Sequence, residues 1–167
     1  KGSILYVAQD FDLTYHKSAF LNAFIHGAYK IVLNKLGVPT VSVSEGLTEK
    51  LSRYQPKRLT TVTNGVDLAV FFRDPNSSFL NKRTKPFVIL FFAREDRRKG
   101  FDIARQAIER LKRLRPKQDW EIWTIGTIPL MVEGISITNF GFLKTDCALR
   151  DILSAVDIFM VPSRSEG

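Results

Sequence analysis

The sequence predicts an α/β protein with two parallel sheets, each only partly covered by this chain. Short apolar runs that suit strands alternate with helical stretches along all 167 residues. This alternation is typical of parallel sheets, because a crossover helix must join each strand to the next parallel one. A dense run of turn residues between positions 64 and 85 interrupts the pattern. We therefore expect two sheets rather than one.

The first half of the chain predicts three strands and two helices. The order is strand 4–8, helix 18–36, strand 40–44, helix 45–54 and strand 59–63. The first helix is expected to end at Gly37-Val38-Pro39, which is a normal helix stop. Asn64-Gly65-Val66-Asp67 then predicts a corner, because Asn-Gly adopts positive φ and Asp67 can accept local backbone bonds.

Residues 66–85 predict a linker or hinge between two domains, 1–65 and 86–167. The segment includes Asp74-Pro75-Asn76-Ser77-Ser78 and the polar run Asn81-Lys82-Arg83-Thr84-Lys85. Turn residues at this density are typical of linkers.

The second half begins with the run 87–92, which is apolar on both faces, as in a central parallel strand. The next helix carries one apolar stripe at three-to-four spacing, formed by Ala104, Ala107, Ile108, Leu111 and Leu114. Strands over 121–125 and 135–139, a helix over about 148–155 and a strand over 157–161 complete the order.

The composition narrows the function classes without choosing among them. A single cysteine, Cys147, excludes an intrachain disulfide and favours the cytoplasm, and the longest apolar run, 87–93, is too short to cross a bilayer. The net charge of +8 is compatible with nucleic acid, acidic lipids or anionic substrates. Cations at 110–117 suit a helix end, and attraction to a membrane surface or polyanion stays open. Nucleic acid is not expected, since aromatic and basic residues do not interleave.

Two loops carry the chemistry. Arg94-Glu95-Asp96-Arg97-Arg98-Lys99-Gly100 places cations between a central strand and a helix, where side chains and helix amides together can bind phosphate. Ser163-Arg164-Ser165-Glu166-Gly167 follows the last strand, and its carboxylate can accept hydrogen bonds from sugar hydroxyls. For both loops, the alternative is a solvated surface loop.

Other candidate sites are weaker. Asp10 and Asp12 have the spacing of a shared metal site, but a polar strand end explains them as well. His16 and His26 form no nucleophile triad with any serine that the sequence identifies, and no P-loop occurs. We therefore expect no metal.

Taken in order, six segments give the chain a family likeness. They are Ser44-Glu45-Gly46, Asn64-Gly65-Val66-Asp67, Arg94 with Arg98-Lys99-Gly100, Trp123-Thr124-Ile125-Gly126, Phe140-Gly141-Phe142-Leu143 and Val161-Pro162-Ser163-Arg164-Ser165-Glu166-Gly167. With them the chain resembles the retaining glycosyltransferases of family four. The resemblance implies two Rossmann-like domains in the GT-B arrangement, with the end of an acceptor domain in 1–65 and the start of a donor domain in 86–167.

The resemblance also implies a role for individual residues. Arg94 and Lys99 would contact the donor diphosphate, and Glu166 would hold the donor sugar as the catalytic carboxylate. The remaining donor-binding residues would be Gly100, Gly126, Gly141, Phe142, Leu143, Ser165 and Gly167. A second glutamate of the family motif falls beyond residue 167, so this chain is not expected to be active by itself. Ala93 departs from the glycine that the family usually has there.

By the same resemblance, the activity would be transfer from a nucleotide diphosphate sugar to a glycan or lipid-linked acceptor. Retention of configuration, no metal and no cofactor beyond this co-substrate are implied. Residues 5–12 resemble family members that build bacterial surface polysaccharides, such as rhamnosyltransferases. A cytoplasmic protein in peripheral contact with the inner face of the membrane is the corresponding expectation. The alternative is a non-catalytic module of the same fold that binds a nucleotide or polyanion.

Overall fold

The chain forms two units, which divide between Gly65 and Val66. The computed structural model describes residues 3–14, 18–117 and 119–164. Ser165, Glu166, Gly167 and His16, which the sequence analysis named, lie outside the described residues.

The first unit is built on three parallel strands in the order β1-β2-β3. These are β1 (Tyr6–Ala8), β2 (Thr40–Ser42) and β3 (Leu59–Thr61). Helix α1 (Ala19–Tyr29) continues as a π-helical segment (Lys30–Lys35), and helix α2 spans Glu45–Ser52. The strands are shorter than predicted, while their order and type agree with the sequence analysis.

The core of the first unit lies where both helices meet the sheet. Leu33 after α1 and Leu47 and Leu51 of α2 are fully buried together with Ala8 of β1. Helix α2 begins at a proper cap, because the Ser44 hydroxyl accepts a hydrogen bond from the Leu47 amide at 3.1 Å.

The second unit contains four parallel strands in the order β6-β5-β4-β7. They are β4 (Phe87–Ala93), β5 (Trp120–Gly126), β6 (Ser136–Asn139) and β7 (Ile158–Met160), with helices α3 (Phe101–Leu114) and α4 (Asp146–Ser154). The predicted α/β class with parallel, Rossmann-like sheets is confirmed.

The second sheet is covered on both faces. Along β4, Ile89 and Phe91 pack in one core with α3, whereas Val88 and Leu90 pack in another with α4. Side chains of a strand alternate between faces, so a run that is apolar at every position requires a cover on each side. The uninterrupted apolar run at 87–92 therefore predicted the central strand correctly.

Residues 74–84 are hydrogen-bonded to the second unit. The Ser77 hydroxyl donates to the Asp151 carbonyl at 2.7 Å, and Arg83 pairs with Asp157 at 2.7 Å. The Thr84 amide and hydroxyl donate to the buried Glu121 carboxylate at 2.9 and 2.6 Å. The division at Gly65 therefore precedes the predicted linker, and at least 74–84 belongs to the second unit. Composition cannot reveal hydrogen bonds to partners so distant in the sequence.

The corner at 64–67 has the local bonds to Asp67 that the sequence predicted, but neither Asn64 nor Gly65 has the positive φ that was expected of the Asn-Gly pair, so that part of the prediction is wrong. The Asp67 carboxylate accepts from the Ala69 amide at 2.9 Å, and its carbonyl accepts from Phe71 at 2.8 Å. Within the part of the chain that the structure describes, no helix combines the length and apolarity needed to cross a membrane.

Candidate ligand site at the carboxyl edge of the second sheet

The strand order of the second sheet defines where a ligand site is expected. β4 comes first in the sequence of this unit, yet it lies between β5 and β7. The chain thus leaves β4 in one direction through β5 and β6, and returns on its other side as β7. Open α/β sheets bind ligands at this switch point, outside the carboxyl ends of the two strands. The turn after β4 and the loop after β7 are the two loops that the sequence analysis selected.

These two loops are in direct contact. Gly100, which ends the turn after β4, has a φ of +68°, and a Cβ there would lie 2.0 Å from the Pro162 carbonyl oxygen. A side chain at this position would therefore clash with backbone, besides adopting a left-handed conformation that favours glycine. Gly100 has a packing role as well as the ligand role implied by the resemblance.

The cations of the turn after β4 are not equivalent. Arg98 pairs with Asp96 at 2.8 Å, and the hydrogen bond from Arg98 lowers the pKa of the Asp96 carboxyl. Lys99 is half-buried in a short 3₁₀ turn (Arg97–Lys99). Arg94 is exposed, with its guanidinium carbon 4.7 Å from the centre of the Phe92 ring. Arg94 and Arg97 are both exposed and line the same cleft, so both are accessible to an incoming anion.

Two clefts share Arg94. The larger measures about 430 Å³ and is lined by Arg94, Glu95, Asp96, Arg97, Phe101, Asp102 and Ile128. The smaller measures about 180 Å³ and is lined by Phe92, Arg94, Ile125, Phe142, Leu143, Lys144, Thr145, Asp146 and Leu149. The first is polar and carries the charged turn, and the second offers aromatic and aliphatic side chains. Together they suit a ligand with an anionic part and a flat apolar part.

The glycines of β5 and of the turn after β6 shape the smaller cleft. Gly126 has a φ of +138°, and a Cβ there would lie 2.1 Å from the Ala93 carbonyl oxygen. Its amide donates to the Gly141 carbonyl at 2.9 Å, which ties the ends of β5 and β6 together. Phe142 follows this turn and is 80% exposed, and Leu143 beside it is half-buried. The structure thus brings Arg94, Phe142 and Leu143 to one cleft.

The first turn of α3 carries an ion pair with the loop after β7. Asp102 is the second residue of α3, so its carboxylate lies in the first turn of the helix. Arg164 donates to both carboxylate oxygens at 2.8 and 2.5 Å, and these bonds lower the pKa of Asp102 to about 2. The pair places an internal carboxylate beside the cationic turn. That the helix amides assist the cations in binding phosphate stays a prediction.

Ser163 and the Arg164–Asp102 pair, which were not among the predicted site residues, also lie at the carboxyl edge of the second sheet. The Ser163 hydroxyl oxygen is buried and has no hydrogen-bond partner among the described residues. Arg164 and Asp102 form the bidentate pair, although they lie 62 positions apart. Their opposite charges next to two candidate loops were a signal in the sequence, but only the fold pairs them.

Asp12, one of the two carboxylates with the spacing of a metal site, has a structural partner. The Tyr29 hydroxyl donates to Asp12 at 2.7 Å, and burial raises the pKa of Tyr29. Across residues 3–14, 18–117 and 119–164 no group of three or more potential metal ligands comes together.

Comparison with known proteins gives a fold relationship. No protein-family model matches the sequence, and no curated protein matches it either. The solved structure of TarM, a glycosyltransferase, matches with a TM-score of 0.67 at 11% sequence identity. The match covers 99% of this chain and 33% of TarM, so the chain spans about a third of the length of that relative. The chain is therefore similar in fold to part of TarM.

Proposed function

We propose that the full-length protein is a glycosyltransferase that moves a sugar from a nucleoside diphosphate sugar to a glycan or lipid-linked acceptor. The observation that carries this proposal is the switch point of the second sheet, where a cationic turn lies against the loop that precedes Glu166. The fold likeness to TarM supports the class of reaction. Retention of configuration follows from the family resemblance of the sequence.

Each part of the donor has a corresponding part of the site. Arg94 and Lys99 supply positive charge for the diphosphate, because guanidinium and ammonium groups form strong, charge-assisted bonds to phosphate oxygens. The smaller cleft, with exposed Phe142, accepts the nucleobase against an aromatic face. Glu166 accepts hydrogen bonds from the sugar hydroxyls, and Ser165 and Gly167 complete its loop. The buried Ser163 hydroxyl adds an unused polar group at the same edge.

These side chains also explain how transfer proceeds without a metal in this proposal. Breaking the bond between sugar and diphosphate leaves negative charge on the departing phosphate oxygen. Fixed cations at that oxygen stabilise the charge in the transition state. Arg94 and Lys99 then take the part that a divalent ion has in metal-dependent enzymes.

A second candidate is a non-catalytic module that binds a nucleotide or another polyanion. The excess of cations, which gives the chain a net charge of +8, favours this class. Binding of nucleotide without turnover of any nucleotide sugar distinguishes it from the enzyme.

The test begins with calorimetric titration of the full-length protein, in EDTA, with UDP, GDP, ADP, dTDP and their sugars. One base series should bind. Lys99→Ala should lower the affinity for that nucleoside diphosphate by roughly tenfold to a hundredfold, because a charge-assisted contact to phosphate is lost. Lys85→Ala is the matched control, since Lys85 pairs with Asp119 at the opposite, amino edge of the same sheet.

Turnover is then measured with the sugar nucleotide that binds. Glu166→Gln should bind the free nucleoside diphosphate as the parent does, while sugar transfer falls steeply. Three results would contradict the proposal. None of the four nucleotide series binds, or activity requires added manganese or magnesium, or Glu166→Gln transfers sugar at the parental rate.

A further inference from the structure

Arg164 joins the loop after β7 to the turn after β4. Its amide donates to the Arg98 carbonyl at 2.7 Å, and its Nη1 atom donates to the Arg97 carbonyl at 2.7 Å. One residue at the end of one loop therefore holds two successive carbonyls of the other.

The guanidinium also forms a fork with Asp102 in the first turn of α3. Nη1 lies 2.8 Å from Oδ1 and Nη2 lies 2.5 Å from Oδ2. A bidentate pair of this kind fixes orientation as well as distance, which a lysine at the same position cannot do. Asp102 is itself the second residue of α3. The loop, the turn and the helix are thus connected through one side chain.

Stability alone does not account for this arrangement. The Arg164 and Asp102 side chains are 35% and 52% exposed, and ion pairs as exposed as this contribute little to folding. The contacts nevertheless converge where Gly100 touches the Pro162 carbonyl, so the two loops meet at a place with no room for adjustment. The hydrogen bonds of Arg164 are directional, so at this place they fix the position of one loop relative to the other.

We propose that Arg164 and Asp102 form a latch that holds the loop after β7, as far as Arg164, in a fixed position against the cationic turn after β4. This inference rests on the proposed function, since those two loops are the ones assigned to the sugar and the diphosphate. Arg164 acts as a positioning residue. It holds the backbone at the end of the described loop, where in the proposed function the chain continues into the residues that bind the sugar, so its loss should disturb transfer more than nucleotide binding.

The test compares Arg164→Ala, Arg164→Lys and Asp102→Asn in the full-length protein. Each should lower kcat for sugar transfer by roughly tenfold to a hundredfold, because a small displacement of a reacting group is costly. Affinity for the free nucleoside diphosphate should hardly change, since the phosphate contacts remain. Lysine should not restore the rate, and the Arg164→Ala/Asp102→Asn double variant should be no slower than either single variant. Arg105→Ala, which removes the exposed Arg105–Glu109 pair on the same helix, is the control and should resemble the parent.

The latch proposal is wrong if Arg164→Ala has the parental kcat. It is also wrong if Arg164→Ala lowers kcat and nucleotide affinity by the same factor. If the parent neither binds nucleotide nor transfers sugar, the proposed function fails, and amide hydrogen exchange then decides about the latch. Faster exchange over 161–164 in Arg164→Ala than in Arg105→Ala supports it, and equal exchange overturns it.

Discussion

Asp102 and Arg164 form an ion pair beside the cationic turn, and the sequence predicts the turn but not the pair. The cationic turn could be placed from the sequence, because an apolar strand, a charged run and a glycine before a helix are local signals. The pairing of Asp102 with Arg164 could not, since both residues are ordinary loop and helix-start residues until the fold brings β4 and β7 together. The pairing gives the Arg164 guanidinium an internal carboxylate partner.

The pair makes a prediction about pH. Hydrogen bonds from Arg164 hold the pKa of Asp102 near about 2, below its ordinary 3.8. Because the folded pKa is below the unfolded one, the pair's contribution to stability is present above pH 3.8 and is lost as pH falls through about 2. In Arg164→Ala the pKa of Asp102 should rise towards its ordinary value.

Carbon-13 NMR of the side-chain carboxyl groups measures this shift. Asp96 is the internal control, since its lowered pKa depends on Arg98 and should not move in Arg164→Ala. An Asp102 carboxyl that still titrates near pH 2 in the variant would show that Arg164 is not the cause.

At the scale of elements, the ends of the strands are fixed by close backbone contacts. Gly126 lies against the Ala93 carbonyl, whereas Gly134, also at positive φ, meets only the flexible end of Lys112. Gly134→Ala should therefore cost mainly the left-handed backbone conformation, about 1 kcal/mol. Gly126→Ala adds a clash with backbone and should cost about 3 kcal/mol or more.

Urea unfolding of the two variants and the parent gives both free energies. If Gly126→Ala and Gly134→Ala lower the free energy of unfolding equally, the ends of β4 and β5 can move apart without a loss of stability. That outcome would remove the structural reason for glycine at 126.

Elements and their types were largely predictable, because hydrophobic spacing and helix stops are local properties. The two-sided apolar run at 87–92 required a central strand, and Gly37-Val38-Pro39 marked a helix end. The attachment of 74–84 to the second unit depends on single hydroxyl and guanidinium groups, such as Ser77 and Arg83. Such contacts leave no periodic signal, so a polar, turn-rich segment was interpreted as a linker.

For the whole molecule, the order β6-β5-β4-β7 is the feature on which the functional argument depends. Alternating strands and helices predict a parallel sheet, but they do not specify which side of β4 receives β7. That order brings the cationic turn and the loop before Glu166 to one edge. The chain spans about a third of TarM's length, so transfer itself must be assayed in the full-length protein.

The most direct test of the account is hydrogen–deuterium exchange of the full-length protein with and without the nucleoside diphosphate that binds it. We expect slower exchange in peptides covering 92–103 and 139–146, which contain Arg94, Lys99 and Phe142. Peptides covering 19–35 and 45–61 of the first unit should exchange at the same rate in both samples. Protection confined to the first unit, or unchanged exchange over 92–103 under saturating nucleotide, would contradict the central claim.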